Sequence, residues 1–313
     1  MSQVDTYQID DKYSFKIAPT WGCNIFSWIV DGKEIMFCPE GYPEAAFKIT
    51  GGGNPTLLPS VGRTWDHTSG KPVLGNYRIY GIDKDFYMPN HGILFLCKWN
   101  KIEEIRTDGS VTVAYELVIP EEVKANNYPF DLGFTHKYTL SRDGIKLEAT
   151  ITNNDSTPIP AAFGYHPFFR ISNPDREGIE IRIPVTRHLE LTPDTNLLTG
   201  ESEPTDGVFT LKPGIDYDEA FGNATGSRMS LIDRKAGHSI HVDFDKKCEL
   251  FFMWSPADSD FICIEPWTRG LGAFESMKDR GWESNGLIPI LQSGEIERYE
   301  MAFSVEDFNL KLP

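Results

Sequence analysis

Short runs of β-prone residues, many of them alternating apolar and polar, fill this chain, and each closes on Gly, Pro, Asn or Asp. The pattern predicts strands over Tyr13–Ile17, Ser27–Val30, Val111–Ile119, Lys146–Thr152, Ile179–Pro184, Ser239–Phe244, Glu249–Trp254, Phe261–Ile264 and Arg298–Val305. Asp31-Gly32, Asp108-Gly109, Asp143-Gly144 and Ala236-Gly237 each lie between apolar segments, where a hairpin connection needs residues that tolerate positive φ. No segment sustains a helical period with caps. The prediction is therefore an all-β chain, a large antiparallel β-sandwich rather than a fold whose strands alternate with long helices. Neither a low-complexity linker nor an internal repeat interrupts the pattern, so residues 1–313 read as a single domain.

Composition agrees with a large core: 40% of the 313 residues are hydrophobic and 12% aromatic. The formal charge of −16 argues against nucleic acid and anionic membrane surfaces as partners, since both demand clustered Lys and Arg. The start, Met1 to Gln8, is polar, and no run of about 18 apolar residues occurs, which suits a soluble cytoplasmic protein. Cys23, Cys38, Cys97, Cys248 and Cys263 are odd in number, scattered and free of a C-x-x-C pair, so reduced core thiols are expected rather than disulfides or a zinc site.

Three segments hold residues suited to proton transfer: Pro89-Asn90-His91-Gly92, Phe163-Gly164-Tyr165-His166-Pro167-Phe168-Phe169 and Phe261-Ile262-Cys263-Ile264-Glu265-Pro266-Trp267. Histidine titrates near neutral pH, and a Glu at the end of an apolar strand has its charged form disfavoured, which raises its pKa toward the useful range. Each has a plain alternative: a core histidine with one hydrogen bond, a turn residue, a strand-end acid reaching water. The loop Gly51 to Arg63 is too rich in Gly and Pro for a strand and reads as a backbone turn beside a cleft. Its triple glycine lacks the phosphate-loop pattern. Arg63 offers a rigid fork of donors, and Asp218 could accept hydroxyl hydrogen bonds, although a surface ion pair and a solvated acid are their ordinary roles. His67, His136, His188, His238 and His241 have no comparable setting, and no metal is indicated.

Taken together, the segments resemble the aldose 1-epimerase (galactose mutarotase) family. The resemblance rests on Gly52 to Arg63, Asn90-His91-Gly92, Gly164 to Phe169, Leu191-Thr192-Pro193-Asp194 through Thr199-Gly200, Tyr217-Asp218-Glu219-Ala220-Phe221 and Cys263 to Trp267, spread from about residue 10 to residue 305. It implies the galactose mutarotase-like supersandwich with an open sugar-binding cleft and no cofactor. It also implies roles: Glu265 as the base on the anomeric hydroxyl, His166 as the acid at the ring oxygen, and His91, Arg63 and Asp218 as sugar binders. The catalytic pair would stand on opposite sides of a sugar-sized space. Trp267, Phe168 and Trp99 are candidates to face the C–H surface of the sugar.

The departures concern specificity. Leu291-Gln292-Ser293-Gly294 lacks a Pro usual in the family, and the segments after Arg63 and over Ser255–Asp260 do not follow the galactose-specific members. The alternatives are a hexose-phosphate 1-epimerase, for which Arg63, Lys71 and Arg78 are a thin cationic set, and a non-catalytic carbohydrate-binding protein. The expected partner is a small-molecule sugar, and the chain is expected to be a monomer or homodimer.

Overall fold

The computed structural model describes residues 3–42, 51–66, 72–172, 176–278 and 286–308. Among these, a nine-stranded sheet runs in the order Lys98–Arg106, Ser110–Val118, Leu132–Ser141, Gly144–Asn153, Ile296–Asp307, His238–Phe244, Arg228–Asp233, Ile179–Arg182 and Val208–Thr210. A second sheet runs Leu198–Pro204, Val185–Leu191, Tyr217–Ala224, Leu250–Ser255, Phe261–Trp267, Gly164–Tyr165 and Thr56–Leu57, with Phe168–Arg170 also pairing with Phe261–Trp267. Neighbouring strands pair antiparallel throughout both sheets, as the sequence predicts. Each of the four turn dipeptides joins two paired strands. A small sheet of Asp5–Asp10, Tyr13–Ala18, Asn24–Val30 and Lys33–Glu34 completes the main layers.

The core lies between the two large sheets. On the nine-stranded side, Leu132–Ser141 alternates strictly between buried and half-buried positions, the mark of a strand with one face inward. Its Phe134 packs on Phe163, and Tyr299 stacks on the same ring with centroids 4.5 Å apart. Phe169 meets Phe303 edge-on, and Phe244 packs against Phe251. By contrast, all seven residues of Phe261–Trp267 are buried. This strand is covered on both faces, by the core on one side and by the floor of a cleft on the other.

The sequence reading missed one short helix, Glu121–Asn126, which has two acids in its first turn and lies in a connection between sheet strands. Six residues are too few for a helical period to stand out from the alternation around it.

Candidate active site

Sheet register assembles one wall of the cleft. Glu265 stands opposite Phe252, Cys263 opposite Trp254, and Asp218 opposite that same Trp254 on the next strand, and directly paired residues share a face. Phe168 pairs with Cys263, which brings it to the same face. Gly164 pairs with Trp267, and a Cβ at Gly164 would lie 2.5 Å from the indole, so only glycine lets that ring rest across the strand. One residue beyond Tyr165, His166 turns back to the cleft side.

The opposite wall comes from the Gly- and Pro-rich loop. The Leu58 carbonyl accepts from Ile93 N–H at 2.9 Å, and the Gly62 carbonyl accepts from His91 N–H at 2.9 Å. The Gly62 N–H in turn donates to His91 Nδ1 at 3.1 Å. This exchange fixes the His91 ring and leaves Nε2–H as its free donor in the neutral tautomer. Burial and the nearby His166 and Arg63 keep His91 neutral, well below the usual histidine range. Gly92 holds a φ of 91° against the Leu58 carbonyl, an approach that a side chain would block. Only Gly62 and Arg63 of this loop reach the cleft. Gly53 instead packs against Asn24–Val30 and Gly52 against Phe37 and Cys38, with the Gly53 N–H donating to the Phe37 carbonyl, which corrects the expectation of a triple-glycine turn beside the site.

The two walls enclose about 610 Å³, including the open mouth. His91, His166, Glu265, Arg63 and Asp218 all line this space, so the structure brings these five residues to one place. Their arrangement differs from the expectation in one respect. His166 Nε2 and Glu265 Oε1 are 3.4 Å apart, neighbours on the floor rather than groups facing each other across a sugar. His166 lies between Gly164–Tyr165 and Phe168–Arg170, both of which pair with the strand that carries Glu265, and this places the two side chains side by side.

Both groups are almost wholly buried. Burial pushes Glu265 well above the usual carboxylate range, Asp218 adds to the shift, and the Trp267 indole opposes it without closing a well-formed hydrogen bond. Burial also holds His166 down to about 3. Both shifts disfavour the charged forms of the pair. His166 Nδ1 and Glu265 Oε2 are buried and have no hydrogen-bond partner among the described residues, a costly arrangement. His166 stacks on Phe168 with centroids 4.8 Å apart and meets His91 edge-on at 5.1 Å.

At the mouth, Arg63 makes no hydrogen bond or ion pair among the described residues, and Asp218 accepts from Asn196 Nδ2 at 2.6 Å. Asp218 is exposed by area yet sits among the cleft walls. That partial burial raises its carboxyl, while Arg63 and Asn196 pull it back. Asn196, Asn90, Phe252 and Trp254 also line the cleft, and the sequence reading did not single them out. Alternation within Leu250–Ser255 puts Phe252 and Trp254 on one face, but only the pairing shows that this face is the site. Trp99 packs on Phe134 in the core and does not face the cleft. His67 and Lys71 lie outside the described residues.

The family model described as aldose 1-epimerase matches residues 5–304. Protein LacX (chromosomal) of Lactococcus lactis subsp. lactis is 27% identical over 186 residues, 53% of this chain and 59% of that protein, so the match spans under two thirds of the curated relative. Among solved structures, the Slr1438 protein of Synechocystis sp. PCC 6803 superimposes with a TM-score of 0.79 at 21% identity, covering 98% of this chain and 96% of that one. A galactose mutarotase-like protein from Lactobacillus casei ATCC 334 gives 0.76 at 19% identity, over 97% and 100%. These two likenesses establish the supersandwich fold.

Proposed function

This chain belongs to the aldose 1-epimerase family, and from that premise we propose that it interconverts the α and β anomers of a free aldose. The observation that carries the reading is the buried His166–Glu265 pair, 3.4 Å apart on the floor of an open cleft, with polar atoms that no group among the described residues satisfies. Anomer exchange needs one proton taken from O1 and one given to O5. Both oxygens are bonded to C1, so an acid and a base that stand side by side suit the reaction better than a pair facing across the ring.

In ring opening, Glu265 takes the O1 proton and His166 protonates O5 as the C1–O5 bond breaks. Rotation about C1–C2 turns the aldehyde over, and closure on its other face reverses both transfers. One proton shared by the pair therefore serves both half-reactions. In the empty cleft burial favours the protonated form of Glu265; the sugar hydroxyls and the Arg63 guanidinium favour the carboxylate once substrate is bound. Each positioned group contributes about 10²–10⁴-fold. His91 Nε2–H, Arg63 and Asp218 hold the ring oxygen and hydroxyls, while Trp254 and Trp267 offer rings to the C–H face.

Electrostatics favours a free sugar over a phosphorylated one. Among the described residues, Arg63 is the only Lys or Arg that lines the cleft. A second pocket shares Asp218 and carries Glu190, Glu201, Glu203 and Glu219, which would repel a phosphate dianion. Arg78 is exposed and paired with Asp85. Polarimetry on freshly dissolved α-glucose, α-galactose and glucose 6-phosphate tests the proposal. Faster decay of rotation is expected for at least one free sugar, with little effect on the phosphate. Acceleration of the phosphate alone would move the assignment to a sugar-phosphate epimerase, and binding without acceleration would leave a carbohydrate-binding protein.

A further inference from the structure

Cys263 stands two residues before Glu265 on the same strand and on the same cleft-side face. It is fully buried, and burial raises its thiol well above the usual range. Anomer exchange as derived above gives it no task. A His166 ring nitrogen, the Cys263 sulfur and a Glu265 carboxylate oxygen lie within 4.8 Å of one another. We propose that these three side chains form a binding site for a thiophilic divalent cation, Zn²⁺ in particular, whose occupancy shuts down catalysis.

The donor set and the spacing support this. Imidazole nitrogen, thiolate sulfur and carboxylate oxygen are the ligand types of zinc, whereas Mg²⁺ and Ca²⁺ select sites built of oxygen. Two ligands at tetrahedral positions about 2.0–2.2 Å from zinc are about 3.3–3.6 Å apart, and the His166–Glu265 separation of 3.4 Å falls in that range. The carboxyl also has a buried oxygen without a partner among the described residues, and both His166 and Glu265 line the cleft, from which an ion would enter. Binding releases the thiol proton and the proton held by the pair. No sequence spacing discloses the site, because Cys263 and Glu265 come from one strand and His166 from a distant segment that meets it only through pairing in the sheet. The inhibitory consequence rests on the epimerase reading, whereas the binding itself does not.

The test is metal binding, measured apart from activity. Zn²⁺ titrated into the full chain in a calorimeter is expected to bind once at the cleft, and Co²⁺ in its place is expected to give a thiolate-to-cobalt charge-transfer band. Cys263→Ala should weaken this binding by more than about tenfold, since even outer-shell changes cost 10–100-fold, and should abolish the band. The same variant should keep metal-free mutarotation while losing its sensitivity to zinc. No binding, or binding and a cobalt spectrum that Cys263→Ala leaves unchanged, overturns the proposal; in the second case the ion sits at surface pairs such as His188–Glu219. A chain that binds zinc through Cys263 but accelerates no mutarotation would contradict the epimerase reading and leave the metal site standing.

Discussion

His136 and His166 are both buried and both held by burial at a pKa of about 3; His136 meets Tyr165 on the core side, and His166, the next residue along, faces the cleft. Their surroundings differ. Tyr138 O–H donates to the Cys23 carbonyl at 2.6 Å, so His136 Nδ1 must carry a proton and donate to the Tyr138 oxygen at 2.6 Å. Nε2 is then bare and accepts from Tyr165 O–H at 2.9 Å. Every donor and acceptor of that ring is used. His166 leaves Nδ1 without a partner among the described residues and aims Nε2 at a carboxyl beyond hydrogen-bond geometry. The size of a pKa shift does not distinguish the two. What separates a structural histidine from a working one here is whether its hydrogen-bonding capacity is already spent.

The comparison can be broken by exchanging consequences. His166→Asn is expected to lower kcat by about 10²–10⁴-fold with thermal unfolding near that of wild type. An inactive but also unfolded variant would make His166 structural after all. His136→Phe is expected to do the reverse, costing about 3 kcal/mol of stability by stranding the Tyr165 hydroxyl in the core, with a much smaller change in kcat; urea unfolding and a rate assay on the same preparation settle it.

A sharper form uses pH. Below pH 6.5 and down to about 3, an unfolded chain protonates this histidine and the folded chain does not, so its contribution makes stability fall as pH falls through that window. His136→Phe should therefore reduce the slope of stability against pH there by about one proton, roughly 1.4 kcal/mol per pH unit. Glu265 and His166 are common to both proteins and cancel in the difference. The smallest effect is expected from Tyr165→Phe, which removes one of the two partners of His136 and should cost about 1–2 kcal/mol with the neighbouring His166 still active.

Local signals carried much of this molecule. The Asp-Gly and Ala-Gly turns marked the hairpins, and alternation marked the strands, because both depend on residues close together in the chain. The buried Glu265 was visible as a carboxylate closing Phe-Ile-Cys-Ile. What the sequence did not disclose depends on pairing between distant strands: the cleft-facing Phe252 and Trp254, the Asn196–Asp218 bond, and the closeness of His166 to Glu265. A turn at Thr192–Leu197, tied to the Arg63 loop by the Trp65 indole donating to the Thr195 carbonyl at 2.8 Å, is likewise set by contacts between remote segments. The contrast between His136 and His166 was hidden for the same reason, since the three residues that satisfy and orient the His136 ring come from three different places in the chain.

The central claim, that the His166–Glu265 pair moves protons at the anomeric carbon, is tested most directly by the rate of α–β exchange of an aldose at equilibrium, followed by magnetisation-transfer NMR. Wild type should speed the exchange, and a folded Glu265→Gln protein that still binds the sugar should lose about 10²-fold or more of that rate. A folded Glu265→Gln protein that exchanges the anomers as fast as wild type would contradict the account.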